Sequence, residues 1–387
     1  HLNVDYPFNL TGILYFPKIK DRMDISKNKI QLYCNQMFVT DSVENIVPDF
    51  LTLLYGVIDS PDIPLNVSRS YLQSDSNVKK ISTYITRKVA DRLDEISRNE
   101  KEAFQEKWDN LKIFIEYGML SDDKFYEKAQ KFALMKTTEG KYFKYEEFKT
   151  LIEAEQTDKN KKLVYLYTTD PVAQYSYIEA AKNRGYQVLV FDSQLDAHFV
   201  NLLESKFKDS TFARVDADSI DNLIQKDDKQ KPVLKEGQEK DLGYAFESVL
   251  PEGAHYHVQV DNLGATTAPI VITQSEFMRR YREMSALNGG LNFYGSMPES
   301  YTITLNYENP IMRSIIDSLE GETACKVADI QARSDEAQKN LKTIEDRNKD
   351  VKAEDIPVAD KDGKEKLNKE IEALAAERKS LMEEFAK

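Results

Sequence analysis

The strongest constraint on the fold lies between residues 162 and 215, where two hydrophobic periods alternate. "KLVYLYT", "QVLVFD" and "TFARVD" are short apolar runs, and the stretches between them, "DPVAQYSYIEAAKNRG" and "LDAHFVNLLESKF", carry helical spacing. Runs without polar alternation suit strands covered on both faces, and strands separated by helices pair in parallel through crossovers. Gly185 stands where the first of these helices should stop. A parallel α/β layer is therefore expected here.

The rest of the chain arranges itself around that layer. "LTGILYF", "KIQLYC" and "MFVT" read as strands, and "DSVENIVPDFLTLL" shifts to helical spacing with Asp41 and Glu44 placed as a capping box. From Ser74 to about Lys149 helical patterns dominate, as in "EKWDNLKIFIEYG" and "SDDKFYEKAQKFALM", and Trp108 is read as a core or helix contact. Gln225 to Lys240 is nearly free of apolar residues, contains Pro232 and Gly237, and reads as a linker. "FESVL", "AHYHVQV" and "APIVIT" announce a further α/β unit, followed by the helix "SEFMRRYREMSAL". In the tail, Val327, Ile330, Ala337, Leu341 and Ile344, then Leu367, Ile371, Leu374, Leu381 and Phe385, recur at spacings near three and four, which predicts an antiparallel two-helix hairpin with a narrow seam.

The expected fold class is α/β (α+β multidomain). Two α/β sandwich units, 1–100 and 156–224, are joined by a helical layer, 101–155; after the linker 225–240 come a smaller C-terminal α/β domain, 241–322, and a charged helical hairpin, 323–387.

Composition removes several functions. The net charge of -13 repels nucleic acid, and no basic face offsets it. No run reaches the roughly 18 apolar residues of a membrane span, so no membrane partner and a cytoplasmic location are expected. Cys34 and Cys325, far apart in sequence, offer neither a disulfide framework nor zinc spacing. The usual phosphate cradles and nucleophile elbows are missing. His255 and His257 could face one side of a strand but lack a third ligand, so no metal is assigned; His198 is read as a packed helix residue. The opening "HLNVDYPFNLTGILYFP" alternates from its first positions, and the chain is expected to start inside a longer protein.

One segment stands apart. "DIPLNVSRSYLQ" places Arg69, Asn66 and Gln73 on a short polar stretch between two core-like elements. A guanidinium fork with two amides suits a phosphate approaching from another domain. The plainer alternative is that Ser68 or Ser70 caps a helix while Arg69 points into water.

"LYCNQMFVTDSVENIVPDFLTLLYGVIDSPDIPLNVSRSYLQ", followed by "VKKISTYITRKVADRL" and later "APIVITQSEFMRRYREM", resembles the heat shock protein 90 chaperones of the bacterial type, over roughly residues 1 to 320. The resemblance covers the middle domain and most of the C-terminal domain of that family and implies an ATP-dependent chaperone of client polypeptides, homodimeric as a whole. ATP with magnesium would sit in an N-terminal ATPase domain whose motifs are not found here, so the chain alone is expected to bind no cofactor and to be inactive as an enzyme. Arg69 would contact the γ-phosphate, with Gln73 and Asn66 at the matching positions of the same loop. Phe277, Met278, Tyr281 and Met284, beside Arg279, Arg280 and Arg282, match the family's amphipathic client-binding helix; the alternative is that this stripe is simply a core face. After about residue 322 the hairpin departs from the family pattern and reads as an insertion, and the family's closing dimer helices are not found. A competing reading is a partner-binding scaffold module with no role in nucleotide turnover. An independent enzyme around residues 162–215 rests on topology alone.

Overall fold

The structure is a computed structural model that describes residues 1–17, 29–41, 43, 47–63, 76–226, 234, 237–251, 254–265, 267–276, 279–280, 300–349 and 357–387. These residues form two units, His1–Arg214 and Val215–Lys387. Both mix helices with sheets, and the protein is an α/β multidomain molecule.

In the first unit β1 (Leu2–Val4), β2 (Leu10–Tyr15), β3 (Lys29–Cys34), β4 (Met37–Thr40) and β5 (Tyr55–Asp59) form one sheet in the order β1-β2-β5-β3-β4. Only β3 and β5 run parallel; the other neighbours are antiparallel. The pairing of β2 with β5 requires Gly56, which has φ +149° and on which a Cβ would fall 1.9 Å from the carbonyl oxygen of Ile13. Alternation gives the sheet two unlike faces. Leu10, Ile30, Leu32 and Ile58 are buried, whereas Ile13, Tyr15 and Val57 are exposed. The helical spacing expected from Asp41 appears among the described residues as a 3-10 turn, Asp49–Leu51, behind Pro48, whose missing N–H suits a helix start. Glu44, the other half of the expected capping box, lies outside the described residues.

Two long helices cover the buried face. α1 (Ser76–Asn99) contributes Val78, Ile81, Ile85, half-buried Val89 and Leu93, and α2 (Lys101–Ser121) contributes Phe104, Trp108, Leu111, Ile115 and Met119, each set at three- and four-residue spacing. Asp122 ends α2 and caps α3 (Asp123–Ala129), accepting from the N–H groups of Lys124 and Phe125 at 2.8 and 3.1 Å. A hairpin, β6 (Leu134–Lys136) with β7 (Tyr142–Lys144), then interrupts the stretch read as helical. Gly140, at φ +76°, makes the turn between two apolar pairs, and α4 (Tyr145–Ile152) follows.

The expected parallel layer is present. β8 (Leu163–Thr168), buried along its whole length, pairs in parallel with β9 (Val188–Val190) on one side and β10 (Ser210–Arg214) on the other. α5 (Tyr175–Asn183) and α6 (Asp196–Lys206) lie between the strands in sequence.

In the second unit α7 (Ile220–Leu223) is a single turn, and α8 (Gln238–Glu247) starts inside the stretch read as a linker and includes part of "FESVL". Buried Leu242 and Ala245 hold it against the unit's core, so packing overrides the polar composition. β11 (His255–Asp261), β12 (Ile270–Thr273) and β13 (Ser300–Asn306) form a sheet in the order β11-β13-β12, parallel on the first side and antiparallel on the second. α9 (Pro310–Arg347), capped by the Asn309 side chain, and α10 (Val358–Ala386) make the expected antiparallel hairpin. Its seam buries Ile330, Ala337 and Leu374, together with Met382, which the spacing analysis left out.

The hairpin is tied to α8 by a bidentate ion pair. Arg378 places Nε 2.5 Å and Nη2 2.8 Å from the two carboxylate oxygens of Asp241, and its Nη1 donates to Gln331 at 2.5 Å. Gly237 leaves the guanidinium room, since a Cβ there would sit 2.4 Å from Nη2. The side chains of Arg378 and Asp241 are only 15% and 9% exposed. Breaking such a pair leaves an uncompensated buried charge, so Arg378→Ala is expected to destabilise the second unit by about 3 kcal/mol, while an apolar replacement of both partners costs less. Urea unfolding followed by circular dichroism checks this; a loss below about 0.5 kcal/mol would place the pair among ordinary surface bridges.

Candidate functional site

Asn66, Arg69 and Gln73 lie outside the described residues, as do Phe277, Met278, Tyr281 and Met284. What the structure gives is the ground on which these segments stand.

The segment that holds Asn66, Arg69 and Gln73 in sequence lies between β5, which ends at Asp59, and α1. Its root is pinned from three sides. Ser60 donates its N–H to the Tyr33 carbonyl at 3.1 Å and its hydroxyl to the Asn9 carbonyl at 2.6 Å. The Asp62 carboxylate accepts the Asn9 N–H at 2.6 Å, and Asp59 accepts the Gln36 N–H at 2.8 Å from the turn between β3 and β4. Asn35 and Gln36 both have positive φ there. Ile63 on one side and Val78 on the other are buried in the same core. The segment between them is thus entered and left at fixed points.

In the second unit, the two described arginines of "SEFMRRYREM" face inward. Arg279 reaches Glu276 at 2.6 Å and Asp216 at 3.5 Å, and Arg280 Nε reaches Glu276 at 2.5 Å. Their side chains are 6% and 10% exposed, so both are structural anchors rather than the cationic flank of a binding stripe. Glu276 accepting from both arginines was not anticipated from the sequence, although its spacing of three and four residues from them is the signal for such pairs.

His255 and His257 are exposed on β11, and among the described residues no group of three His, Cys, Asp or Glu could hold a metal ion. Cys34 is buried and Cys325 exposed, both free. His198 is half-buried, and Trp108 is a core residue.

A charged cluster that the sequence reading missed lies inside the first unit. Lys112 Nζ sits 3.9 Å from Glu116, 3.3 Å from Asp192 and 3.4 Å from Asp196. Burial opposes the charge on Lys112, but the three carboxylates outweigh it and hold the ammonium above its ordinary range. Burial pushes the Glu116 carboxyl well above its usual range, with Lys112 opposing, and raises Asp196 in the same way. The signal was the Lys-Glu pair at i, i+4 within "NLKIFIEYG", placed on the helix face that also carries Trp108, Ile115 and Met119.

Comparison with known proteins supplies the rest. The model of the Hsp90 protein family matches residues 1–333. Chaperone protein HtpG of Bacteroides thetaiotaomicron is 53% identical over 390 residues, covering 100% of this chain and 57% of the relative. The protein of the same name from Bacteroides fragilis is 52% identical over 388 residues, with the same coverage. That of Porphyromonas gingivalis is 52% identical over 367 residues, 94% of this chain and 54% of the relative. The chain thus spans little more than half the length of these relatives. Residues 334–387 fall beyond the family match but within the Bacteroides alignments, so the hairpin has a counterpart in those relatives. With a family match across most of its length and this identity over all of it, the chain belongs to the Hsp90 family.

Proposed function

We propose that the chain is the client-binding portion of an ATP-driven chaperone and supplies Arg69 to a nucleotide held in the N-terminal ATPase domain of the same protein. The observation that carries this is the 52–53% identity, over the whole chain, with proteins named chaperone protein HtpG. Anchored ends on both sides of the segment support the role of Arg69, because a cation offered across a domain boundary must be presented at a reproducible place. The planar guanidinium would hold charge developing on the γ-phosphate, with the amides of Gln73 and Asn66 orienting the same group. ATP, with its magnesium, supplies the transferable phosphoryl group and lies outside this chain.

Client polypeptide is assigned to Phe277, Met278, Tyr281 and Met284. Flexible thioethers and aromatic rings repack at low cost and so accept many sequences. The inward ion pairs of Arg279 and Arg280 support a segment anchored along one side, leaving its apolar positions as the candidates for client. The whole protein is taken to be a homodimer in the cytoplasm, without nucleic-acid or membrane partners. No described helix is long and apolar enough to cross a membrane, and the net charge of -13 disfavours nucleic acid.

Arg69→Ala in the full-length protein is expected to slow ATP turnover by roughly a hundredfold, about 3 kcal/mol, while nucleotide affinity stays close to that of the parent. Lys at this position should restore only part of the rate, since a point charge does not reproduce the planar fork. Steady-state turnover measured beside a nucleotide titration decides this; an unchanged rate constant removes Arg69 from the mechanism.

Met278→Ser is expected to weaken suppression of a model client's aggregation with little change in melting temperature. A midpoint lowered by many degrees would instead make Met278 a core residue and move the client site elsewhere.

A further inference from the structure

The buried charges of the first unit do not balance. Lys112 is one cation facing three carboxyls, and two of these, Glu116 and Asp196, are 2% and 4% exposed; only Asp192 reaches water appreciably, its side chain 49% exposed. Donors are too few to solvate two buried carboxylates. Glu116 accepts from the Ser193 hydroxyl at 3.2 Å, and Asp196 Oδ2 accepts the Ser193 N–H at 2.6 Å. Asp196 Oδ1 is buried with no hydrogen-bond partner among the described residues. Among the described residues no second cation pairs with these carboxyls: the Phe191 ring lies 5.4 Å from Lys112 Nζ, Tyr145 of α4 and, beyond it, Tyr126 of α3 are neutral phenols, and Lys206, over the Tyr126 ring, pairs with Asp123 at 3.0 Å. A buried carboxylate without donors or a cation of its own costs several kcal/mol, and the neutral acid avoids most of that penalty.

We propose that Lys112, Glu116, Asp192 and Asp196 form a one-proton lock between α2 and the lead-in to α6. At neutral pH one proton is shared by the two buried carboxyls, so that Lys112 faces a single buried negative charge. When the carboxylic O–H ionises and its proton passes to water, two buried carboxylates compete for one ammonium, and the contact between α2 and residues 192–196 weakens.

The direction of the pH effect follows from the linkage. A carboxyl whose pKa is raised on folding contributes fully below its unfolded value, ordinarily 4.5 for Glu116 and 3.8 for Asp196, and that contribution is lost as pH rises through the folded value. Lys112, also raised, loses its contribution only at alkaline pH. The lock therefore opens upward in pH, opposite to the usual behaviour of surface carboxylates paired with cations.

Urea unfolding of this chain, followed by the fluorescence of its one tryptophan, Trp108 on α2, reads the first unit. Across about pH 5 to 8 the unfolding constant of the parent is expected to rise relative to that of Glu116→Gln by up to about tenfold per pH unit, the slope of one proton. Asp196→Asn should give the same relative slope. A ratio independent of pH overturns the lock. Should neither variant fold, the infrared spectrum of the parent decides: at neutral pH the native chain should show the carbonyl stretch of a neutral carboxylic acid and the urea-unfolded chain should not. Absence of that band from the native spectrum overturns the proposal equally.

Discussion

Leu10, Ile30, Leu32 and Ile58 beneath the five-stranded sheet meet Ile81, Ile85, Trp108 and Ile115 of the two long helices in a core that runs on without a break to Phe148, Tyr165 and Phe212. Each large apolar side chain buried in it contributes about 1.5–3 kcal/mol before the entropy of ordering is counted. The sheet, the helical layer and the parallel strands consequently cannot shift independently, because close-packed interiors transmit strain. Two features depend on this. The segment that carries Arg69 begins and ends on residues of this core, and α2 passes through it deeply enough to remove Lys112 and Glu116 from water.

What could be read from the sequence divides along a physical line. Parallel β8, β9 and β10 were legible because strands buried on both faces announce themselves as apolar runs, and the hairpin was legible because its seam repeats. The β6–β7 turn was hidden, since its few strand residues sit in a charged stretch with chance helical spacing. The start of α8 was hidden too, because Leu242 and Ala245 define a helix only once β11, β13 and α9 exist to cover them. Met382 was overlooked beside Leu381, although the helix turns the methionine, not the leucine, fully inward. The candidate site followed another rule. A short polar segment has no periodicity, so "NVSR" carried meaning only as part of a long motif, whereas the Lys112–Glu116 pair looked like a solvated i, i+4 bridge until the fold buried it.

The interior of the second unit is organised differently. Its sheet packs Val260, Ile303 and Leu305 against Leu242, Met312 and Ile316, and a smaller cluster of Ala245, Leu319 and Met382 lets α10 rest on α8. Polar side chains take over where apolar ones are few: Asn306, fully buried, donates to the Gly264 and Thr267 carbonyls and accepts the Leu263 N–H. Such a satisfied amide fixes the approach of the loop before β12 more sharply than a methyl group would.

The attachment of the hairpin has a mechanical consequence. Arg378, Met382 and Phe385 of α10, with Val327 and Gln331 of α9, all belong to the part of the hairpin that meets α8, whereas the cross-helix ion pairs toward the turn, Lys364–Glu345 and Arg347–Asp360, are wholly or partly exposed. From Arg378 back to Val358 the helix rises roughly 30 Å at about 1.5 Å per residue. The hairpin is therefore a cantilever, clamped at one end and held along its shaft by a narrow seam in which Ala337 and Leu374 are buried and by surface pairs that each contribute little. A load at the turn would reach the clamp multiplied by that length, and adding or removing turns along the shaft would change the leverage without touching the clamp.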